Sequence, residues 1–271
     1  MRTLMLCMLL SLAWPVAAAS RVVTLAPSLT EIVLELEAGD LLVGLLDGGE
    51  RPAAVKHLPS VGNFGQLELE SLLQVQPDLV LLWPDSISSA QRQQLQRLGI
   101  PVLVIEPRKL ADLAGQFVEI GARIGRLEQG QRLQQRFNQG LQQLSQRYRR
   151  EQPLRLFYQV WDVPLYTIGG QQIISDALTV CGASNIFAEL SLPAPQVSVE
   201  AVLERNPEVI LAGVQQQLDA WRIWPGLTAV EREQLWLVPD NGLERPSFQM
   251  LGAMEKLCER LALARPRNAS H

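Results

Sequence analysis

Histidine is almost missing from this chain: 271 residues contain two, His57 and His271. A metal centre built on imidazole therefore has too few ligands to draw on, and no histidine base stands beside a plausible nucleophile. Glycine-rich phosphate loops and nucleophile-elbow motifs are also absent, which argues against phosphoryl and acyl transfer. Asp85 and Asp162 are the one carboxylate pair that a cleft could oppose, an arrangement two facing lobes produce by chance. An exported enzyme working in such a cleft is the minor alternative. Basic clusters are lacking and the formal net charge is −4, so nucleic acid is not an expected partner. After residue 20 no apolar run is long enough to cross a bilayer.

Cysteine is scarce as well, with three in the chain, and what precedes the second decides how they are read. Arg2, an apolar run from Leu4 to Trp14 and the small residues Val16 to Ser20 form the pattern of a secretory signal peptide, expected over residues 1–19 with cleavage after Ala18 or Ala19. Cys7 lies inside its apolar core and no cysteine stands at the cleavage point, so no lipid attachment is expected. A soluble, exported, periplasmic protein follows. Its two remaining cysteines, Cys181 and Cys258, occupy a compartment where disulfides persist and are expected to pair; two unrelated buried thiols are the alternative.

The most informative positive feature is a repeat. Leu69 to Leu82 aligns without a gap against Val199 to Ala212, 130 positions later. Each copy reads as a short helix with an acidic residue near its start, a proline stop and an apolar strand. Two similar α/β lobes facing each other across a cleft are the simplest cause, with Glu70 and Glu200 at equivalent positions. In the first lobe, 20–109, apolar runs at Arg21–Leu25, Leu41–Leu45, Leu79–Trp83 and Pro101–Ile105 alternate with helical patterns, as in a mostly parallel sheet. Ser28 to Glu31 has the spacing of a capping box, opening a helix that ends near Gly39. Residues 110–150 read as one long amphipathic linking helix with a possible interruption near Gly125. The second lobe, 151–265, carries strands at Leu154–Val160, Val209–Ala212 and Leu235–Val238, and helices at Ile173–Cys181, Val199–Arg205 and Ser247–Ala264. A polar tail, 266–271, closes the chain.

These segments resemble the periplasmic binding proteins of importers for iron siderophores, haem and cobalamin, whose two lobes are joined by a rigid helix. The resemblance rests on the run from Arg21 to Glu31, on Leu69-Glu70 followed by Pro77 to Val80, and on Val180 to Phe187. It continues through Pro195 to Glu200 and Glu244 to Ser247, and within the class it is greatest to the cobalamin binders. It implies a monomeric carrier with no catalytic activity and no cofactor of its own, which holds a cobalamin and hands it to an ABC importer. It further implies that Glu70 and Glu200 each meet arginines on one membrane subunit. The alternative for both is a helix-dipole role as N-terminal acids. Haem or a ferric siderophore is the alternative ligand.

By the same resemblance, Phe64, Trp83 and Tyr166 match aromatic positions of the cobalamin binders, and Asp240 and Arg245 match polar positions near the rim of the corrin. Trp161 has no family counterpart but follows a strand and is expected to join the wall. Flat rings cover a planar chelate at little cost in side-chain entropy. Two family aromatics are missing: Ala194 replaces a tryptophan, and Asp47 to Glu50 replaces a loop that carries a tyrosine. Trp161 or Trp224 is the expected compensation. An axial haem ligand would have to come from His57, Tyr158 or Tyr166.

Overall fold

The computed structural model describes residues 18–265. The expected leader up to residue 17, with Cys7, and the tail 266–271, with His271, lie outside the described residues. Elements of the first lobe run β1 (Val22–Thr24), α1 (Pro27–Glu35), β2 (Leu42–Asp47), β3 (Ser60–Asn63), β4 (Gln66–Leu67), α2 (Leu69–Gln74), β5 (Leu79–Leu82), α3 (Ser89–Arg97) and β6 (Val102–Val104). Two helices follow, α4 (Leu110–Arg123) and α5 (Leu127–Arg147). The second lobe comprises β7 (Leu154–Trp161), β8 (Tyr166–Thr167), α6 (Ile173–Val180), β9 (Ala183–Asn185), α7 (Val199–Arg205), β10 (Val209–Ala212), α8 (Gln215–Asp219), α9 (Thr228–Glu231), β11 (Leu235–Leu237) and α10 (Met250–Ala262).

The first sheet has six strands in the order β4-β3-β2-β1-β5-β6, parallel except for β3–β4. The second has five, ordered β11-β10-β7-β8, with β9 paired in parallel to the first half of β7 and β8 antiparallel to its end. The series β2-β1-β5-β6 thus corresponds to β9-β7-β10-β11. In each, the strand order reverses beside the central strand, between β1 and β5 and between β7 and β10. Such reversals leave a crevice at the carboxyl ends of the strands.

Alternation along the strands explains how the two sheets share a core. Val22, Leu79, Leu81, Leu154, Leu156, Val209 and Leu211 point to one continuous apolar cluster that also takes in α1, α4, α5, α6 and α10. The intervening residues face outward to smaller cores, with Val23, Val80 and Leu82 in the first lobe and Phe157, Ile210 and Ala212 in the second. The lobes are therefore fused through a middle layer, which limits how far they move apart.

The repeat is real in three dimensions. Its copies form α2–β5 and α7–β10, and even the turn residues match: Gln76 and Asn206 sit at φ 44° and 43°. Two expectations need correction. Residues 110–150 are interrupted at Gly125, φ 69°, where the sequence allowed a break, but they do not run on as one long helix: α5 folds back along α4. Phe117 and Phe137 meet with centroids 5.5 Å apart, although 20 residues of continuous helix would separate them by about 30 Å. Gly121 and Gly130 permit the close approach, since a Cβ on Gly130 would stand 2.4 Å from the Phe117 carbonyl oxygen. The helix that leads into the second lobe is α5 alone.

The second correction concerns Ser28 and Glu31, which form no capping box. Ala26 is the N-cap of α1, Pro27 starts it, and no side chain caps it. The helix stops at Glu35, earlier than expected, and Glu37 takes φ 57° beyond it. Likewise α10 begins at Met250 and not at Ser247, because the residues before it are held by α1. Its Cys258 is disulfide-bonded to Cys181 at the end of α6, across 77 positions, as the compartment suggested.

Candidate functional site

The space between the lobes is lined from the first strand-order reversal and, in the second lobe, chiefly from the turn Asn241–Glu244 and the residues just after it. At that reversal, the carboxyl end of β1 delivers Ala26, Pro27 and Ser28, and the carboxyl end of β5 delivers Trp83. The β2–β3 region adds Gly48, Gly49, Glu50 and Phe64, and the second lobe adds Glu244 and Arg245. Together they line a cavity of about 230 Å³. Trp83 and Glu244 also line a neighbouring cavity of about 230 Å³, bounded by Asp85, Glu106 and Arg108 on one side and Gln171, Gln172 and Leu243 on the other. The two cavities form one cleft with Trp83 and Glu244 at its waist.

Phe64, Trp83 and Arg245 line the same cavity. Phe64 is 60% exposed, although its loop is anchored by a hydrogen bond from its backbone N–H to the Asp47 carbonyl, 3.1 Å. Trp83 is half-buried, and its Nε1 has no hydrogen-bond partner among the described residues, leaving a donor at the cleft wall unmet. Asp47 to Glu50, which lacks the family tyrosine, supplies Gly48, Gly49 and Glu50 to the lining.

Asp240, Trp161 and Tyr166 are placed differently. Asp240 lines neither cleft cavity. Its carboxylate accepts from Gly242 N at 2.7 Å and from Lys256 Nζ at 2.5 Å, and the lysine holds its pKa below the usual range. It faces a separate groove of about 550 Å³ between α5 and α10, lined also by Leu144, Arg147 and Phe248. The helical positioning of Asp240 as cap of the turn Asn241–Glu244 accounts for this. Trp161 ends β7, is 57% exposed, and donates from Nε1 to the Val163 carbonyl at 3.2 Å. Tyr166 pairs with it across the β7–β8 ladder. Both stand at the carboxyl end of the second sheet's central strand, outside the two cavities. Trp224, at the end of a short turn, is 39% exposed and lines neither cavity. Glu70 and Glu200 are exposed in the first turns of α2 and α7. Ser198 caps α7, and the backbone N–H of Glu200 with the Ser198 hydroxyl lowers the Glu200 pKa.

A set of acids missed in the sequence sits where α1 meets the second lobe. Glu31 is buried, accepts from Ser247 Oγ at 2.9 Å and forms an ion pair with Arg245. Glu35, one turn on, accepts from Phe248 N at 2.9 Å and Gln249 N at 3.2 Å. Burial raises both pKa values, that of Glu35 to about 7. Glu244 accepts from the Tyr158 hydroxyl at 3.1 Å, and burial followed by the Glu244 charge pushes that hydroxyl well above its usual range. The signal for Glu31 and Glu35 was their spacing, four apart and so on one face of a largely apolar helix.

The arrangement is a receptive cleft: rings and backbone on one side, polar side chains on the other. Among the described residues no cluster of histidine, cysteine and acid side chains has the makings of a metal site. No described helix is long and apolar enough to cross a membrane.

The periplasmic binding protein family matches residues 22–241. A vitamin B12-binding protein of Vibrio cholerae is 32% identical over 249 residues, covering 91% of this chain and 90% of that one. One from Yersinia pestis is 33% identical over 254 residues, 92% and 88% of the two chains. The crystal structure of the periplasmic vitamin B12-binding protein of Vibrio cholerae superposes with a TM-score of 0.81 at 32% identity, over 92% of this chain and 99% of that one. A periplasmic haem-binding protein of the same organism reaches 0.78 at 21% identity, over 89% and 98%, a likeness of fold alone.

Proposed function

The chain belongs to the periplasmic binding protein family, and from that premise we propose that it captures cobalamin between its lobes and presents it to the membrane subunits of an ABC importer. The observation that carries this reading is the joining of Phe64, Trp83 and Arg245 in one interlobe cavity at a strand-order reversal. Rings there cover the face of a corrin, while Arg245 and Glu244 meet the amide groups of its rim. Trp161 and Tyr166 extend the wall from the second sheet as the lobes close on a ligand larger than either cavity. Asp240 acts indirectly, by fixing the turn that carries Glu244 and Arg245. The chain acts as a carrier and performs no chemistry on its cargo.

Two of the three candidate axial donors for haem are poorly placed: the Tyr158 hydroxyl is engaged by Glu244, and His57 is exposed beyond the turn Ala53–Val55, away from the cavity lining, which leaves Tyr166 as the one donor a haem could use. Delivery is assigned to Glu70 and Glu200, one per lobe, whose separation is held by the shared middle core. Two charges at a fixed distance specify orientation even where each pair contributes little. The leader 1–19 directs export, the lobes span 20–109 and 151–265 with 110–150 between them, and the mature chain works as a monomer without nucleic acid.

The test is calorimetric titration of the leaderless protein with cyanocobalamin, with haem and a ferric siderophore in parallel. Tight one-to-one uptake of cyanocobalamin alone is expected. Uptake of haem or siderophore in its place overturns the ligand and leaves the family and fold intact.

A further inference from the structure

We propose that Glu31 and Glu35 are the positioning residues of the cleft: from one face of α1 they clamp the second-lobe segment Arg245–Gln249, and so set both the aim of Arg245 and the aperture between the lobes. This rests on the cobalamin reading only for the identity of the ligand.

The clamp is built from four contacts made by two adjacent turns. Glu31 takes the Arg245 guanidinium and the Ser247 hydroxyl, and Glu35 takes the Phe248 and Gln249 amides at the head of α10. More than 210 positions separate the partners, so no local rule demands these contacts. The segment they fix is the one that reaches the ligand cavity, since Arg245 lines it and Ser247 is fully buried directly behind. Phe248 is wedged further by Phe117 of α4, Phe137 of α5 and Arg136 stacked 4.8 Å above its ring. The segment that reaches the cleft through Arg245 and Pro246 is therefore the same one that α1 holds from behind.

Two carboxylates so close are an unstable choice for a purely structural joint. Glu35 faces Glu31 on its own helix, Ser247 and the two amides on the opposing segment, and its charge is opposed by burial first and also by the charge of Glu31. Parting the lobes hydrates Glu35 and returns its pKa from about 7 toward 4.5, so opening releases a proton in that window. Acid consequently favours the clamped arrangement.

A binding cycle with cyanocobalamin tests the aim of Arg245. Glu31→Gln keeps an acceptor for Ser247 but loses the ion pair, and is expected to weaken affinity about ten-fold, with the double variant Glu31→Gln, Arg245→Ala no weaker than Arg245→Ala. Additive losses overturn the positioning role. From about pH 8 to about pH 5 the wild type is expected to tighten several-fold while Glu35→Gln, which keeps only Glu31 of the two buried acids, changes much less; a Glu35→Gln profile that follows the wild type overturns the clamp. Should the wild type bind no cobalamin, the ligand reading fails and the clamp is judged by amide exchange in the free protein. There Glu35→Ala is expected to speed exchange at Phe248 and Gln249 about ten-fold, with β1 and β10 unaffected. Unchanged exchange at those two amides overturns it.

Discussion

Asp78 and Glu208, 130 positions apart, do the same work in the two lobes. Asp78 Oδ1 accepts from Arg21 N at 2.9 Å, and Glu208 Oε2 accepts from Arg155 N at 3.1 Å, so each acid ties the start of its lobe's central strand to the strand that follows it in the repeat. Asp78 also takes the backbone N–H and hydroxyl of Ser20, at 2.9 Å each. Asp78→Ala is expected to cost about 1 kcal/mol, because the edge is exposed and water replaces part of the loss. Glu208→Ala should cost about 2 kcal/mol, since Glu208 is buried and also pairs with Arg232. Urea unfolding of the two variants checks the order; equal costs would show that burial at Glu208 counts for nothing.

The disulfide joins α6 to α10 within the shared middle core. In the chain-entropy picture, opening a loop of this span removes about 4.5 kcal/mol. The paired change of Cys181 and Cys258 to Ala is therefore expected to lower the urea midpoint strongly while leaving the cleft residues in place. Cyanocobalamin affinity measured well below the new midpoint should stay within about two-fold of wild type. A large affinity loss there would mean that α10 shifts when the link is cut.

Much of this architecture was legible because it is local. The α2–β5 and α7–β10 copies are periodic, proline-punctuated segments, and their boundaries follow from residues within a few positions of one another. Cys181 and Cys258 were readable from compartment alone. What was not legible depends on distant partners. Ser28 and Glu31 have capping-box spacing, yet Pro27 starts the helix and Glu31 finds Ser247 and Arg245 in the other lobe. The break near Gly125 was legible but the reversal there was not, because a helix that turns back and packs on itself buries the same face as one that runs on. In the cleft, Phe64, Trp83 and Arg245 were legible only through the family resemblance, since residues of both lobes meet there and no local pattern marks them. Asp240 differs because its role is decided by Lys256, sixteen positions away on α10.

Glu70 and Glu200 give a prediction that separates delivery from capture. Both side chains are exposed and neither lines the cleft, so Glu70→Ala and Glu200→Ala should leave cyanocobalamin affinity unchanged. Uptake by reconstituted importer should fall for each and fall further for the pair, with a weaker effect at high salt, where surface charges are screened. Wild-type uptake by the double variant would reduce both residues to helix-terminal acids.

Opposed pKa shifts place the stability maximum on the acid side of neutrality. The backbone and hydroxyl of Ser20 and the N–H of Arg21 hold Asp78 below its ordinary 3.8 against the effect of burial, so its contribution is complete above that value and is lost as pH falls through the lowered one. Glu35 has the opposite sign. Burial lifts it from 4.5 to about 7, so the folded protein holds this proton more tightly than the unfolded chain does. Stability is then greatest below 4.5 on its account and declines as pH rises toward about 7, and the raised pKa of Glu31 acts in the same direction. Allowing for partial hydration of Glu35, the decline should be on the order of 2 kcal/mol. Unfolding free energy is therefore expected to peak near about pH 4.5 and to fall toward neutrality. Glu35→Gln should remove most of that fall, gaining on the wild type at neutral pH while matching it in acid. Parallel curves for the two proteins would mean that Glu35 titrates with the same pKa folded and unfolded, and its carboxylate would then have to be hydrated where it meets the Phe248 and Gln249 amides.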